Sequence, residues 1–246
     1  MKIATWNVNG IRARQAQFCE WLARDRPDVV CLQELKAEPA QIPEQCKAAD
    51  YDSFWHGRRA YSGVSLHIRT GLFGEKPFFS HPAFDMEARI VQAEVGNLVL
   101  ASVYVPNGNK DYAAKVEFME RLAAWARRLH QQGRELVLCG DINITRSEMD
   151  VHPKERKPGI IGQRPEEREL FSGLLENLVD VGRELDPDNP GLFTWWPPWR
   201  NMRSRNIGWR LDYILASPAI AARAASCAVL ADFGTSDHAP VVMTAT

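Results

Sequence analysis

IVQAEVGNLVLASVYVPN, residues 90–107, decides what kind of sheet this chain builds. Two apolar runs, at about 89–95 and 97–105, are separated only by the Gly96–Asn97 corner. That spacing is a hairpin signal, and a hairpin requires antiparallel neighbours. Elsewhere strands lead into helices, which calls for parallel pairing as well. A purely parallel doubly wound sheet therefore fits poorly. A mixed α/β sandwich, two sheets covered by helices, fits better.

Working outward, residues 2–8 read as a strand and 12–25 as a helix, with Phe18, Trp21 and Leu22 on its apolar side and Pro27 marking its end. VVCLQ, 29–33, is a short buried strand running into Glu34. Further strands are expected near 51–56 and at 63–69. Asn109 reads as the cap of a helix through about 131, on which Val116, Met119, Leu122, Ala126 and Leu129 recur at helical spacing. ELVLCGDIN, 135–143, is a buried strand ending in polar residues, and Pro165-Glu166-Glu167 opens a shorter helix. LDYIL, 211–215, and strands near 226–231 and 240–244 complete the chain. No linker divides it, so a single domain over 1–246 is expected.

The composition, 45% hydrophobic and 25% charged over 246 residues, is that of a globular protein with a large core. No stretch has the length and apolarity of a membrane span, and MKIATWNVNGIR reads as a first strand rather than a signal peptide. A cytoplasmic monomer is the expectation. Cys19, Cys31, Cys46, Cys139 and Cys227 are scattered without CxxC spacing, which supports neither a disulfide framework nor a cysteine zinc site. A net charge of −1 does not advertise nucleic-acid affinity. A local patch can supply it: WRNMRSRNIGWR, 199–210, holds Arg200, Arg203, Arg205 and Arg210 with no acid among them and tryptophan at both ends.

Several apolar runs terminate in or contain polar groups: ATWNVN with Asn7 and Asn9, VVCLQE with Glu34, LVLCGDIN with Asp141 and Asn143, and RLDYIL with Asp212. FGTSDHAPVV, 233–242, adds Asp237 and His238. Each has a plainer reading on its own. Glu34 can pair with Lys36, Asp141 can cap a loop, Asn143 can make an Asx turn, and His238 can be a satisfied core residue. Gathered at one edge of a sandwich, they can share a divalent cation and a water molecule instead. Oxygen-rich donors without thiolates favour Mg²⁺ or Mn²⁺. With arginine- and tryptophan-rich loops nearby, such a site suggests phosphate-ester hydrolysis. The chain has no P-loop and no nucleophile elbow.

The ordered set WNVNGIR (6–12), LQELK (32–36), YSGV (61–64), YVPNG (104–108), GDIN (140–143), GWRLDYIL (208–215) and SDHAP (236–240) resembles the exodeoxyribonuclease III family of apurinic/apyrimidinic endonucleases. The resemblance implies a DNase I-like four-layer α/β sandwich, with two mixed β-sheets flanked by helices. It implies Mg²⁺- or Mn²⁺-dependent hydrolysis of double-stranded DNA 5′ to an abasic site, leaving a 3′-hydroxyl, with 3′→5′ exonuclease and 3′-phosphatase activities beside it. By the same resemblance Glu34 is the main metal carboxylate, with Asn9 and Asp237 near or on the metal. Asn7 belongs to the network around Asp141, which prepares the attacking water with Asn143 beside it. Tyr104 and Asn107 contact phosphate or the leaving group, His238 donates to phosphate, and Asp212 orients His238. Trp195 and Trp209 wall the abasic-sugar pocket, while Arg203 and Arg205 belong to the DNA-gripping segment.

Two departures stand out. LQELK carries Leu35 where many relatives have threonine, and HPKERKPGIIGQRPEER, 152–168, lacks an asparagine that many place there. Two other functions stay open at this stage: a small-molecule or lipid phosphoesterase of the same superfamily, and an inactive DNA-binding scaffold.

Overall fold

The computed structural model describes residues 1–157 and 159–246. The chain begins in one sheet with β1 (Lys2–Asn7), β2 (Val29–Gln33), β3 (Tyr51–Arg58) and β4 (Tyr61–Arg69). It crosses to a second sheet with β5 (Phe78–Ser80), β6 (Ile90–Val95), β7 (Leu98–Tyr104), β8 (Glu135–Asp141), β9 (Val179–Asp180) and β10 (Asp212–Ala216). It then returns to the first with β11 (Ala224–Val229) and β12 (Val241–Ala245). The strand orders are β11-β12-β1-β2-β4-β3 and β5-β6-β7-β8-β10-β9.

The β6–β7 hairpin is present, with Val95 opposite Leu98 and Gly96 at φ 51° in the turn. Two neighbouring pairs are parallel, β1 with β2 and β7 with β8. Each is joined by a helix: α1 (Ile11–Asp25) in the first case and α2 (Tyr112–Gln131) in the second. A third helix, α3 (Pro165–Leu175), packs beside α2.

Both faces of the central strands are covered, which explains their unbroken apolar runs. Ile3, Val29 and Cys31 meet Val137, Cys139 and Ile214 between the sheets. Alternate residues Trp6, Val30 and Leu32 pack with Phe18 and Trp21 of α1. On the far side Leu136 and Leu138 join Phe118, Leu122 and Phe171 of α2 and α3. The result is the four-layer order helix, sheet, sheet, helices. Among the described residues, no helix is long and apolar enough to cross a membrane, and all five cysteines are free thiols.

Three readings need correction. The α2 cap is Asp111, whose Oδ1 accepts the Ala114 N–H at 3.0 Å, not Asn109. The Asn109 N–H is engaged earlier, by the Asn107 side chain, in a turn that delays the helix. The buried stripe of α2 is Lys115, Phe118, Met119, Leu122, Trp125, Ala126 and Leu129, so Val116 lies at its margin and a lysine lies inside. The strand expected near 226–231 runs from Ala224 to Val229. Strands β5 and β9, three and two residues long, are too short to show a period.

The topology gathers the polar strand ends. Parallel β1 and β2 finish at the same edge, delivering Asn7 and Glu34. In the facing sheet Tyr104 and Asp212 both pair in register with Asp141, making a row across three adjacent strands.

Candidate active site

Asn7 bridges the two sheets. Its side-chain amide donates to Glu34 Oε1 at 3.0 Å and to Asp141 Oδ2 at 2.9 Å. The second Asp141 oxygen accepts the Asn143 backbone N–H at 2.9 Å, while the Asn143 side chain donates to the Val105 carbonyl. His238 Nδ1 lies 2.8 Å from Asp212 Oδ2, and its Nε2 lies 3.8 Å from Asp141 Oδ2. Thr194 donates its hydroxyl to the same Asp212 oxygen at 2.6 Å. Asp141, Asp212 and His238 are all buried.

Their environments push them in useful directions. Burial raises the Asp141 pKa above the carboxylate range; His238 opposes this, and the charges of Asp212 and Glu34 reinforce it. Burial alone would lower the His238 pKa, but Asp212 and Asp141 outweigh it and hold the ring as imidazolium at neutral pH. Both ring nitrogens are then donors. Burial, followed by the charges of Glu34 and Asp141, keeps the Tyr104 phenol protonated. Glu34 stays ionised despite burial, because Asn7 and Lys36 donate to it.

Lys36 reveals how strongly this edge attracts positive charge. Its ammonium is 2.8 Å from Glu34 Oε2 and 2.5 Å from Asn9 Oδ1, so it stands in for a cation held between those oxygens. The ion pair offered by the plainer reading of Glu34 thus exists, inside the site. Donor atoms of Glu34, Asp141 and His238 also lie within 4.8 Å of one another, an arrangement that suits a divalent-metal active site. Asn9, Glu34, Lys36 and Asn143 all adopt left-handed backbone conformations, with φ between 45° and 54°. Such strain in non-glycine residues is held in place by surrounding structure and concentrates at working sites.

Asn9 links the expected metal set, sharing Lys36 with Glu34 and donating to Asp237. Asp237 uses one oxygen to accept from Asn9 at 2.7 Å and the other to accept from the Trp195 indole at 2.9 Å. Asp237 and Asn9 form a flank beside the cluster, tied to the aromatic wall. The Trp195 and Trp209 rings meet edge to face, with centroids 5.5 Å apart. Together with Glu34, Tyr104, Asn107, Asn143, Asp237 and His238 they enclose a cavity of about 380 Å³. A larger hollow of about 690 Å³ lies behind Arg203, but none of the acidic cluster lines it.

The arginine segment does less at the surface than its sequence suggested. Arg203 donates to the carbonyls of Ala231, Phe233 and Ser236, so it pins the loop that carries Asp237 and His238. Arg210 is buried, held by Asp150 at 2.7 Å and Asp180 at 2.6 Å. Arg200 and Arg205 remain exposed, beside a Trp199 that is 56% exposed.

Sequence reasoning missed Lys115 and read Glu167 only as an acid opening α3, not as the partner of that lysine. Lys115 donates to the backbone carbonyl of Asn143 at 2.8 Å and lies 3.3 Å from that of Asn107, while Glu167 accepts the Gly162 N–H. The pair thereby joins three loops around the cavity. A lysine three and four residues before Phe118 and Met119, on an otherwise apolar stripe, was the available signal.

The Endonuclease/Exonuclease/phosphatase family matches this chain over residues 4–238. An exodeoxyribonuclease of Bacillus subtilis is 32% identical over 251 residues, covering 98% of each chain. The chain belongs to the exonuclease III and AP-endonuclease family. Among solved structures, a 3′ phosphatase from Neisseria bound to a product DNA hairpin superposes with a TM-score of 0.89 at 31% identity, covering 100% of this chain and 99% of that one. An AP endonuclease from Archaeoglobus fulgidus gives 0.88 at 29% identity, with the same coverage.

The two departures from the exonuclease III pattern fall in different places. Leu35 is a core residue, 1% exposed, with its backbone N–H donated to the Gly63 carbonyl. The 152–168 segment reaches the cavity itself, through Ile160 and Ile161; Pro158 lies outside the described residues. Within that segment Gly162 has φ +91°, and a Cβ there would stand 3.1 Å from the Trp209 ring. This segment therefore supplies part of the cavity wall.

Proposed function

We propose that this chain is a DNA-repair nuclease that hydrolyses the phosphodiester 5′ to an abasic site and leaves a 3′-hydroxyl. The observation that carries the reading is the joining of Glu34, Asp141, Asp212 and His238 beneath the Trp195–Trp209 wall. Glu34 would hold Mg²⁺ or Mn²⁺, with Asn9 and Asp237 alongside. When bound, the ion supplies Lewis-acid polarisation of the phosphate and leaving oxygen. Asp141 orients the attacking water and accepts its proton, while Asn7 and the Asn143 N–H fix the carboxylate. Imidazolium His238 donates to the phosphate as negative charge develops, and Asp212 aims that ring. Tyr104 and Asn107 border the same space as donors to phosphate or leaving group.

The two indoles favour a base-free sugar over an intact nucleotide, and the lesion has already lost part of its stacking. Exposed Arg205 makes backbone contacts that give salt dependence without sequence readout. Arg203 contributes by holding the Asp237–His238 loop. Processing of 3′ ends uses the same water attack, so 3′→5′ exonuclease and 3′-phosphatase activities accompany incision. The B. subtilis relative, an exodeoxyribonuclease, favours this second capability.

Three matched duplexes test the ordering: one with an internal abasic analogue, one with a recessed undamaged 3′ end, and one with a 3′-phosphate. Fast Mg²⁺-dependent nicking at the abasic analogue, with slower action on the other two, is expected. Rapid resection with little incision would reverse the order, and inactivity on all three would return the phosphoesterase reading. Chelation is expected to abolish cleavage and added Mg²⁺ or Mn²⁺ to restore it; full activity in excess chelator would remove Glu34 from a metal role.

A further inference from the structure

We propose that His56, His81 and Asp85 form a second cation site, of zinc type, that clips the open edges of the two sheets together. None of the three belongs to the acidic cluster described above. Their donor atoms lie within 4.8 Å of one another. His56 lies on β3, the outermost strand of the first sheet, and His81 directly follows β5, the outermost strand of the second.

The surroundings prepare the donors. The β3–β4 pairing shifts register between His56 and Arg58, and such an irregularity re-aims the side chains next to it. His56 Nε2 is 2.7 Å from Asp85 Oδ2, while Asp85 Oδ1 accepts the N–H groups of Arg89 and Ile90 at 2.8 and 3.0 Å. That outer shell fixes the carboxylate, as it does around metal ligands. The imidazoles of His56 and His81 lie parallel, 7° apart, with centroids at 4.7 Å. Among the described residues, no protein group hydrogen-bonds the exposed His81 ring, which is held only by its stacking on His56.

Zn–N bonds of about 2.0–2.1 Å put tetrahedral donors roughly 3.4 Å apart, so closing this set requires about an ångström of movement. With the His56 proton on Nδ1, its Nε2 lone pair faces the ion. Two imidazoles and one carboxylate suit Zn²⁺ or Co²⁺, with water in the fourth position. Mg²⁺, which prefers oxygen, would remain at the acidic cluster.

Calorimetric titration of Zn²⁺ in the presence of millimolar Mg²⁺, with Co²⁺ absorption as a report of coordination geometry, tests the site. Wild type and Glu34→Gln should each bind a single tight zinc ion, show the tetrahedral Co²⁺ spectrum, and gain about 5 °C in Tm at saturation. His81→Ala, which removes only an exposed ring, should bind zinc at least about tenfold more weakly and lose that gain, since loss of even an outer-shell partner has effects of this order. Asp85→Asn should behave likewise. Unchanged zinc affinity in His81→Ala, loss of the tight zinc in Glu34→Gln, or no tight zinc in wild type would each overturn the proposal. Because activity is not the readout, failure here is separable from failure of the nuclease reading.

Discussion

Asp141→Asn should lower single-turnover cleavage of abasic DNA by more than about 10²-fold, a usual general-base contribution, with DNA affinity and Tm close to wild type. The substitution keeps the size of the side chain and an oxygen that can accept the Asn143 N–H. It removes a carboxylate whose burial, reinforced by the charges of Asp212 and Glu34 and opposed by His238, raises its proton affinity. The proton of the attacking water then has no acceptor of adequate strength. His238→Asn should also damage turnover, through lost charge stabilisation and phosphate placement. Single-turnover rates on a fixed duplex, alongside binding measured without divalent cations, separate chemistry from affinity. Near-normal cleavage by Asp141→Asn would assign the base elsewhere.

Lys115→Met should lower stability by about 3 kcal/mol or more, the scale for breaking a buried pair, and hence Tm by roughly 6–12 °C. The Lys115 and Glu167 side chains are both 1% exposed, with Nζ 2.6 Å from Glu167 Oε1. Burial lowers the lysine pKa and Glu167 opposes that shift, so removing the ammonium leaves a buried carboxylate without its counter-charge. Methionine conserves most of the stem volume, which confines the effect to the ionic head and its contacts with the Asn143 and Asn107 carbonyls. KM for abasic DNA should rise as those loops loosen. Glu167→Gln isolates the charge, because an amide oxygen can still accept the Gly162 N–H. A Tm change below 2 °C in both variants, checked by calorimetry, would show that the pair is not what holds the cavity loops.

Much of the architecture was legible because it is local. The Gly96–Asn97 corner requires antiparallel neighbours whatever surrounds it. VVCL (29–32) and LVLC (136–139), apolar at every position, announce strands buried on both faces, which two covered sheets provide. Helix α2 was legible in extent and, from Met119 to Leu129, in phase, but not in its start: Asp111, not Asn109, caps it, because the Asn107–Asn109 turn comes first. Lys115 then fell on the buried side, a choice that α3 makes by placing Glu167 opposite.

The chemistry of the site was legible as a set of residue types, and its wiring was not. Nothing near Asn7 in sequence says that one amide joins Glu34 to Asp141, since those partners stand 27 and 134 residues away. Arg203 and Arg210 look like surface cations because arginines usually are; the carbonyls of the 231–236 loop and the carboxylates of Asp150 and Asp180 decide otherwise. His56, His81 and Asp85 have no motif spacing, because the edges of two different sheets bring them together. By itself the sequence determined which segments pair locally, which runs are buried, and which polar groups end them. The tertiary structure alone decided which polar group meets which, because burial forces each one to find a partner and strand register sets who is within reach.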